Sequence, residues 1–152
     1  MKVRLTTIAG ALGFLAIGFD LPAFDDCGGR FLRRVVSMEY PPAARVFQLQ
    51  GEVLLTAEVS EDGDVKRVDV RRGPPLLASP VKDVLSQWKF APRHVSPGAC
   101  QVSIKVNFAL KGTCQRGTWC PTTFEVDFPP GGEHGPVGTV TLTSKVPEGP
   151  IY

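Results

Sequence analysis

The sequence is poor in the residues that carry chemistry. Histidine, tryptophan, tyrosine and methionine occur only in twos, histidine as His94 and His134. No nearby Ser, Cys or carboxylate completes a triad-like arrangement with either histidine, so both read as solvated side chains in turn-rich segments. There is no C-x-x-C, no H-E-x-x-H and no Gly-rich phosphate loop. Charge of one sign is missing too: 17 Lys and Arg against 15 Asp and Glu leave a net +2. A nucleic-acid binder would concentrate positive charge on one face, so a balance this close to zero argues against that class. Beyond residue 20 no apolar run reaches 18 residues, which excludes a multi-span membrane protein. The sequence contains no internal repeat or low-complexity tract. It points to no enzyme, no cofactor and no metal.

Glycine and proline are plentiful, at 16 and 14 of 152 residues. They favour turns and β-structure over a long-helix bundle. With 43% hydrophobic and 21% charged residues, the composition is that of one globular domain, or one small domain with a tail. Lys2 and Arg4 open the chain, and Leu5 to Phe19 is uncharged and mostly apolar. That stretch suits a secretory h-region better than a bilayer-spanning helix of roughly 20 residues. Residues 1–23 are therefore expected to be a signal peptide, with a short membrane anchor as the other reading, and 24–35 a leader. Export implies an oxidising compartment, periplasmic or secreted, or an inner-membrane tether. The four cysteines Cys27, Cys100, Cys114 and Cys120 then read as disulfides. Cys114 and Cys120 close a small loop containing Gly117, which leaves Cys27 with Cys100. The rival is a metal site from Cys114, Cys120 and His134.

Hydrophobic periodicity supplies the elements. Ala43 to Leu49 reads as a two-turn helix after Pro41-Pro42, with Ala43, Val46 and Phe47 on one side. Val53, Leu55, Ala57 and Val59 alternate with polar residues, as in a strand with one buried face. Glu61-Asp62-Gly63-Asp64 is a hairpin turn, and Val68 and Val70 continue an antiparallel partner. Ser79 is an expected N-cap with Pro80 at the first helical position. Val81, Val84, Leu85 and Trp88 make one apolar helix face. Cys100, Val102, Ile104, Val106, Phe108 and Leu110 share the buried parity of a long strand. Burying Trp88 and Phe108 against each other's elements supplies roughly 3–6 kcal/mol. Beyond Lys111, the segments Thr123 to Phe128 and Gly138 to Val146 alternate again, separated by a Pro/Gly loop. Residues 111–152 thus read as a Cys-containing β-hairpin extension.

A series of short motifs runs through the middle of the chain. Tyr40-Pro41 is followed by Ala43-Ala44-Arg45, Gly51-Glu52-Val53, Asp62-Gly63-Asp64-Val65 and Leu76-Leu77. Trp88-Lys89-Phe90-Ala91-Pro92, Gly98 and a Val-x-Ile-x-Val-x-Phe strand complete it. At these spacings, from Val36 to Leu110, the series resembles the C-terminal domain of the TonB family of energy transducers. The resemblance implies an α+β fold over residues 36–110: a two-layer ββαβ sheet with one packed helix. Here an appended C-terminal hairpin is added. Gly63, Trp88, Phe90, Pro92 and Phe108 are read as fold determinants, because turn and core roles explain them fully.

The resemblance also implies a function. Domains of this family bind an extended segment of an outer-membrane TonB-dependent receptor, or of another protein, by adding it to a sheet edge. The gripping strand maps onto Gln101 to Leu110, with Gln101, Ser103, Lys105, Val106 and Asn107 as contact residues. The segment before the Tyr-Pro pair maps onto Ser37, Met38, Glu39 and Tyr40. Residues 1–20 lack the anchor histidine of family transducers. Only 15 residues, reaching at most ~55 Å, separate Phe19 from Val35. A stand-alone exported module is therefore expected rather than a complete transducer. The alternative is a disulfide-stabilised exported interaction or structural domain without a transport role. An unpaired edge also admits a homodimer by strand pairing. The tail has two readings. It occupies the edge in place of a partner strand, or it only extends a small core.

Overall fold

The computed structural model describes residues 25–27, 32–92, 98–128 and 137–149. The expected export signal (1–23), His94 and His134 lie outside them. The elements are β1 (Asp25–Asp26), β2 (Leu32–Arg34), α1 (Pro42–Val46), β3 (Gly51–Val59) and β4 (Val65–Arg72). After these come α2 (Pro75–Leu85), β5 (Lys89–Phe90), β6 (Cys100–Cys114), β7 (Thr123–Asp127) and β8 (Val137–Pro147). The main sheet has the order β4-β3-β6-β8-β7, with β1 also on β6; β2 and β5 form a small second sheet. One packed helix, α2, on a mixed sheet gives the α+β, two-layer class.

Alternation builds the core. In β3, Val53, Leu55, Ala57 and Val59 are buried, and antiparallel register sets them opposite Val106, Ile104, Val102 and Cys100 of β6. Large apolar side chains removed from water contribute about 1.5–3 kcal/mol each, so this doubled row is the main cohesive force. The α2 side chains Leu77, Ala78, Val81 and Leu85 bury against it, and Trp88 closes the end of the layer. The Trp88 indole N–H donates to the Val36 carbonyl at 2.9 Å, so its one polar atom is satisfied inside the core. Gly63 is required at the β3–β4 turn. Its φ is +92°, and an added Cβ would sit 2.0 Å from the Phe90 carbonyl oxygen. That closeness lets the Phe90 N–H donate to the Gly63 carbonyl at 2.8 Å.

Several local expectations need correction. Helix α2 starts at Pro75, with Pro74 as its N-cap, and not after Ser79. Pro75 already supplies a first-turn proline, and Pro80 is carried inside the helix. Helix α1 ends at Val46 and buries Ala44, while Phe47 is 70% exposed. Five residues give only one buried position, and the apolar side chains expected there face solvent. Val70 is also exposed, leaving Val68 as the anchor of β4. The leader is tied down: β1 runs parallel to β6 and β2 antiparallel to β5.

The hairpin is integrated rather than appended. Antiparallel β7 and β8 pair as expected, but β8 inserts between β6 and β7. Val140 and Leu142 are fully buried in the common core. Phe128 packs edge-on against Trp88 and Phe90, with ring centroids 6.3 and 6.0 Å apart. Both disulfides form as expected, Cys27–Cys100 and Cys114–Cys120.

Candidate partner-binding site

The long strand β6 has two edges. One is paired along Cys100 to Phe108 by β3. The other is the edge assigned to a partner, and the protein fills it itself. β8 pairs with it in parallel register from Ser103↔Val137 to Leu110↔Ser144, then again at Thr113↔Val146 and Cys114↔Pro147. Ahead of β8, β1 takes the same edge at Asp25↔Cys100 and Asp26↔Gln101. The Cys27 N–H donates to the Gln101 carbonyl at 3.2 Å, and the Cys27–Cys100 disulfide pins that short strand. The tail both pairs with this edge and adds Val140 and Leu142 to the core, and among the described residues a homodimer through an unpaired β6 has no open template.

Along β6 the side chains divide by parity. Val106 is fully buried between Val53 and Val140. Gln101, Ser103, Lys105 and Asn107 lie on the opposite face, exposed or half-exposed. Lys105 stands 3.9 Å from the Glu52 carboxylate of β3. The occupant strand repeats the pattern, with Thr139, Thr141 and Thr143 on the outer face and Val140, Leu142 and Ser144 buried. Among the described residues the buried Ser144 hydroxyl has no hydrogen-bond partner. A buried polar group left so costs about 1–3 kcal/mol, which weakens the hold of β8.

The second half of the site is the extended segment Ser37 to Tyr40. Met38 and Tyr40 are buried; Ser37 and Glu39 are exposed. The Tyr40 ring meets Phe108 edge-on at 5.2 Å, and its hydroxyl donates to the Leu49 carbonyl at 2.6 Å. Burial raises the Tyr40 pKa above 10.0, so the phenol stays a neutral donor. The tail reaches this segment too. Thr122 Oγ1 accepts from the Tyr40 N–H at 3.2 Å and donates to the Glu39 carboxylate at 3.3 Å. Arg45 donates to the Cys120 carbonyl at 3.1 Å. Ser37, Met38 and Glu39 also rim a cavity of about 300 Å³ whose apolar lining includes Pro80, Val81, Val84 and Phe108. No sequence signal marked this cavity, because helix and segment meet only in the folded chain.

Every residue of the expected site is thus placed on two strips, the β6 edge and the segment before Pro41, and the tail touches both. The β6 main chain is already paired, by β3 on one side and by β8 and β1 on the other. Among the described residues no cluster of three metal-ligating side chains exists, and none of the described helices is long and apolar enough to cross a membrane.

Residues 36–110 match the family described as Gram-negative bacterial TonB protein C-terminal, over just under half of the chain. Over this stretch the chain is similar to that C-terminal domain. Two curated relatives, both called Protein TonB, come from strains of Xanthomonas campestris pv. campestris. Each is 37% identical over 76 residues, which is 47% of this chain and 34% of the relative. The chain thus matches about a third of the length of those relatives. A solution structure of the Pseudomonas aeruginosa TonB C-terminal domain aligns with a TM-score of 0.43 at 20% identity. It covers 51% of this chain and 82% of that one.

Proposed function

We propose that this chain is an exported, periplasmic, TonB-like binding module associated with TonB-dependent transport. It grips an extended segment of an outer-membrane receptor by strand addition at β6, flanked by Ser37 to Tyr40. What supports this reading is the similarity of residues 36–110 to TonB C-terminal domains, together with a β6 edge whose backbone geometry already accepts a parallel strand, β8, from Ser103 to Leu110. An edge that takes one extended strand in continuous register has the backbone geometry to take another. The receptor segment replaces β8, and the disulfide-pinned β1 limits it to the stretch beyond Gln101. Main-chain bonds supply affinity, and Ser103, Lys105 and Asn107 read the segment's outward side chains.

The same occupied edge favours a second reading, a disulfide-stabilised exported domain completed by its own tail that engages no receptor. Site-directed photo-crosslinking separates the two. Probes at the exposed positions Ser37 and Ser103 are exposed to outer-membrane extract, with a probe at Gln48 as control. Adducts with a TonB-dependent receptor from both test positions, and none from Gln48, support the transport role. Adducts from none of the three favour the self-completed domain.

A further inference from the structure

With β6 covered on both sides, β4 is the longest strand of the main sheet that remains paired on one side only among the described residues. Its eight residues span roughly 27 Å at ~3.4 Å per residue. Along it stand four cations, Lys66, Arg67, Arg71 and Arg72, against one carboxylate, Asp69. Arg67 is held by Asp69 at 2.9 Å and Arg72 by Glu52 at 2.9 Å. Lys66, Lys82 and Asp83 form no salt bridge among the described residues and are exposed, so the unpaired charge lining the groove is two cations against one carboxylate. Charges on an edge strand keep copies from pairing, and they do so here, since two β4 strands would bring like charges together. Guarding an edge needs no cavity beside it, however. Between β4 and α2 lies a groove of about 460 Å³, lined by Lys66, Arg67, Val68, Asp69, Lys82 and Asp83. A strand edge with a helix alongside is the arrangement that seats an extended peptide, one row of its side chains falling over the groove.

We infer that the β4 edge and α2 form a second strand-accepting groove, whose occupant is an extended acidic segment of another protein. The unpaired backbone of β4 supplies sequence-independent hydrogen bonds. Lys66 and Lys82 supply the sign, receiving carboxylates from alternate positions of the incoming strand. This groove is independent of the β6 reading and stands if that one fails.

The test uses the full chain and a labelled octapeptide of alternating Glu and Val, with alternating Lys and Val as control, followed by fluorescence anisotropy. The acidic peptide is expected to bind at least about tenfold tighter than the basic one, as befits two exposed charge contacts. Binding weakens as salt shortens the screening length from about 30 Å at 0.01 M to about 8 Å at 0.15 M. The pair Lys66→Glu and Lys82→Glu reverses the preference; Lys66→Gln with Lys82→Gln only erases it, and circular dichroism checks that both variants fold. Leu142→Ala, which loosens β8, leaves acidic-peptide binding unchanged. Equal binding of both peptides, a preference that survives the Glu variants, or acidic-peptide binding strengthened by Leu142→Ala would each overturn the inference. So would self-association removed by Glu125→Lys with Asp127→Lys, because the acidic occupant would then be β7 of a second copy.

Discussion

Leu142→Ala is the sharpest perturbation of the covered edge. Leu142 is fully buried on β8, opposite Phe108 of β6 and Phe124 of β7. Truncating such a residue costs about 2–5 kcal/mol. At about 1.4 kcal/mol per tenfold, the population with β8 detached rises roughly 30- to 4,000-fold. β8 is the last strand of the main sheet in the chain, and its buried face carries the unsatisfied Ser144 hydroxyl. It is therefore expected to open on its own, below the free energy of global unfolding. Native-state hydrogen exchange reads this directly. Amides of Ser103 to Leu110 that bond β8 are expected to exchange faster, by that factor, with little dependence on denaturant. Amides of β6 that bond β3 exchange more slowly, with the strong denaturant dependence of global unfolding. A single rate and a single denaturant dependence for both classes would refute the idea that β8 is a separable occupant.

Other outcomes follow from the same geometry. In the chain-entropy description, removing Cys27–Cys100, with a sequence separation of 73, costs about 4.4 kcal/mol; removing Cys114–Cys120, with a separation of 6, costs about 2.2. Urea midpoints of the two Cys→Ser pairs should fall in that order. Gly63→Ala puts a methyl group 2.0 Å from the Phe90 carbonyl oxygen at a φ of +92°. The loss of stability in thermal melts should exceed the roughly 1–3 kcal/mol of backbone strain alone. Tyr40 keeps its proton in the folded state above pH 10.0, where the unfolded chain loses it. Above that pH the native state binds more protons, so stability declines as pH rises, and Tyr40→Phe should remove this component from alkaline melts.

The central layer was legible because its signals are local. Parity alone identified the buried rows of β3 and β6, and Asp62-Gly63 marked the turn between β3 and β4. Trp88 to Pro92 marked the passage from helix to strand. The start of α2 was misjudged because two prolines, Pro75 and Pro80, each suit a first turn, and sequence gives no reason to prefer the earlier. For the tail, period two told which face of β7 and β8 is buried but not what they pair with. Pairing partners are a tertiary property, and the parallel seat of β8 on β6 requires the chain to pass outside β8 as β7 and return. The candidate site was legible as two strips of residues, while its occupancy by the chain's own strand was one of two open readings. The cavity beside Met38 was invisible because it joins elements far apart in sequence, and the groove beside β4 because it depends on how α2 folds back along the strand it follows.

The most direct test is hydrogen exchange on the intact protein mixed with a purified outer-membrane TonB-dependent receptor. The account predicts that amides at 137–144 lose protection while Ser103 to Leu110 keep theirs, because one parallel strand has been traded for another. Unchanged protection of 137–144 with receptor bound, or no binding even with Leu142→Ala, would contradict it.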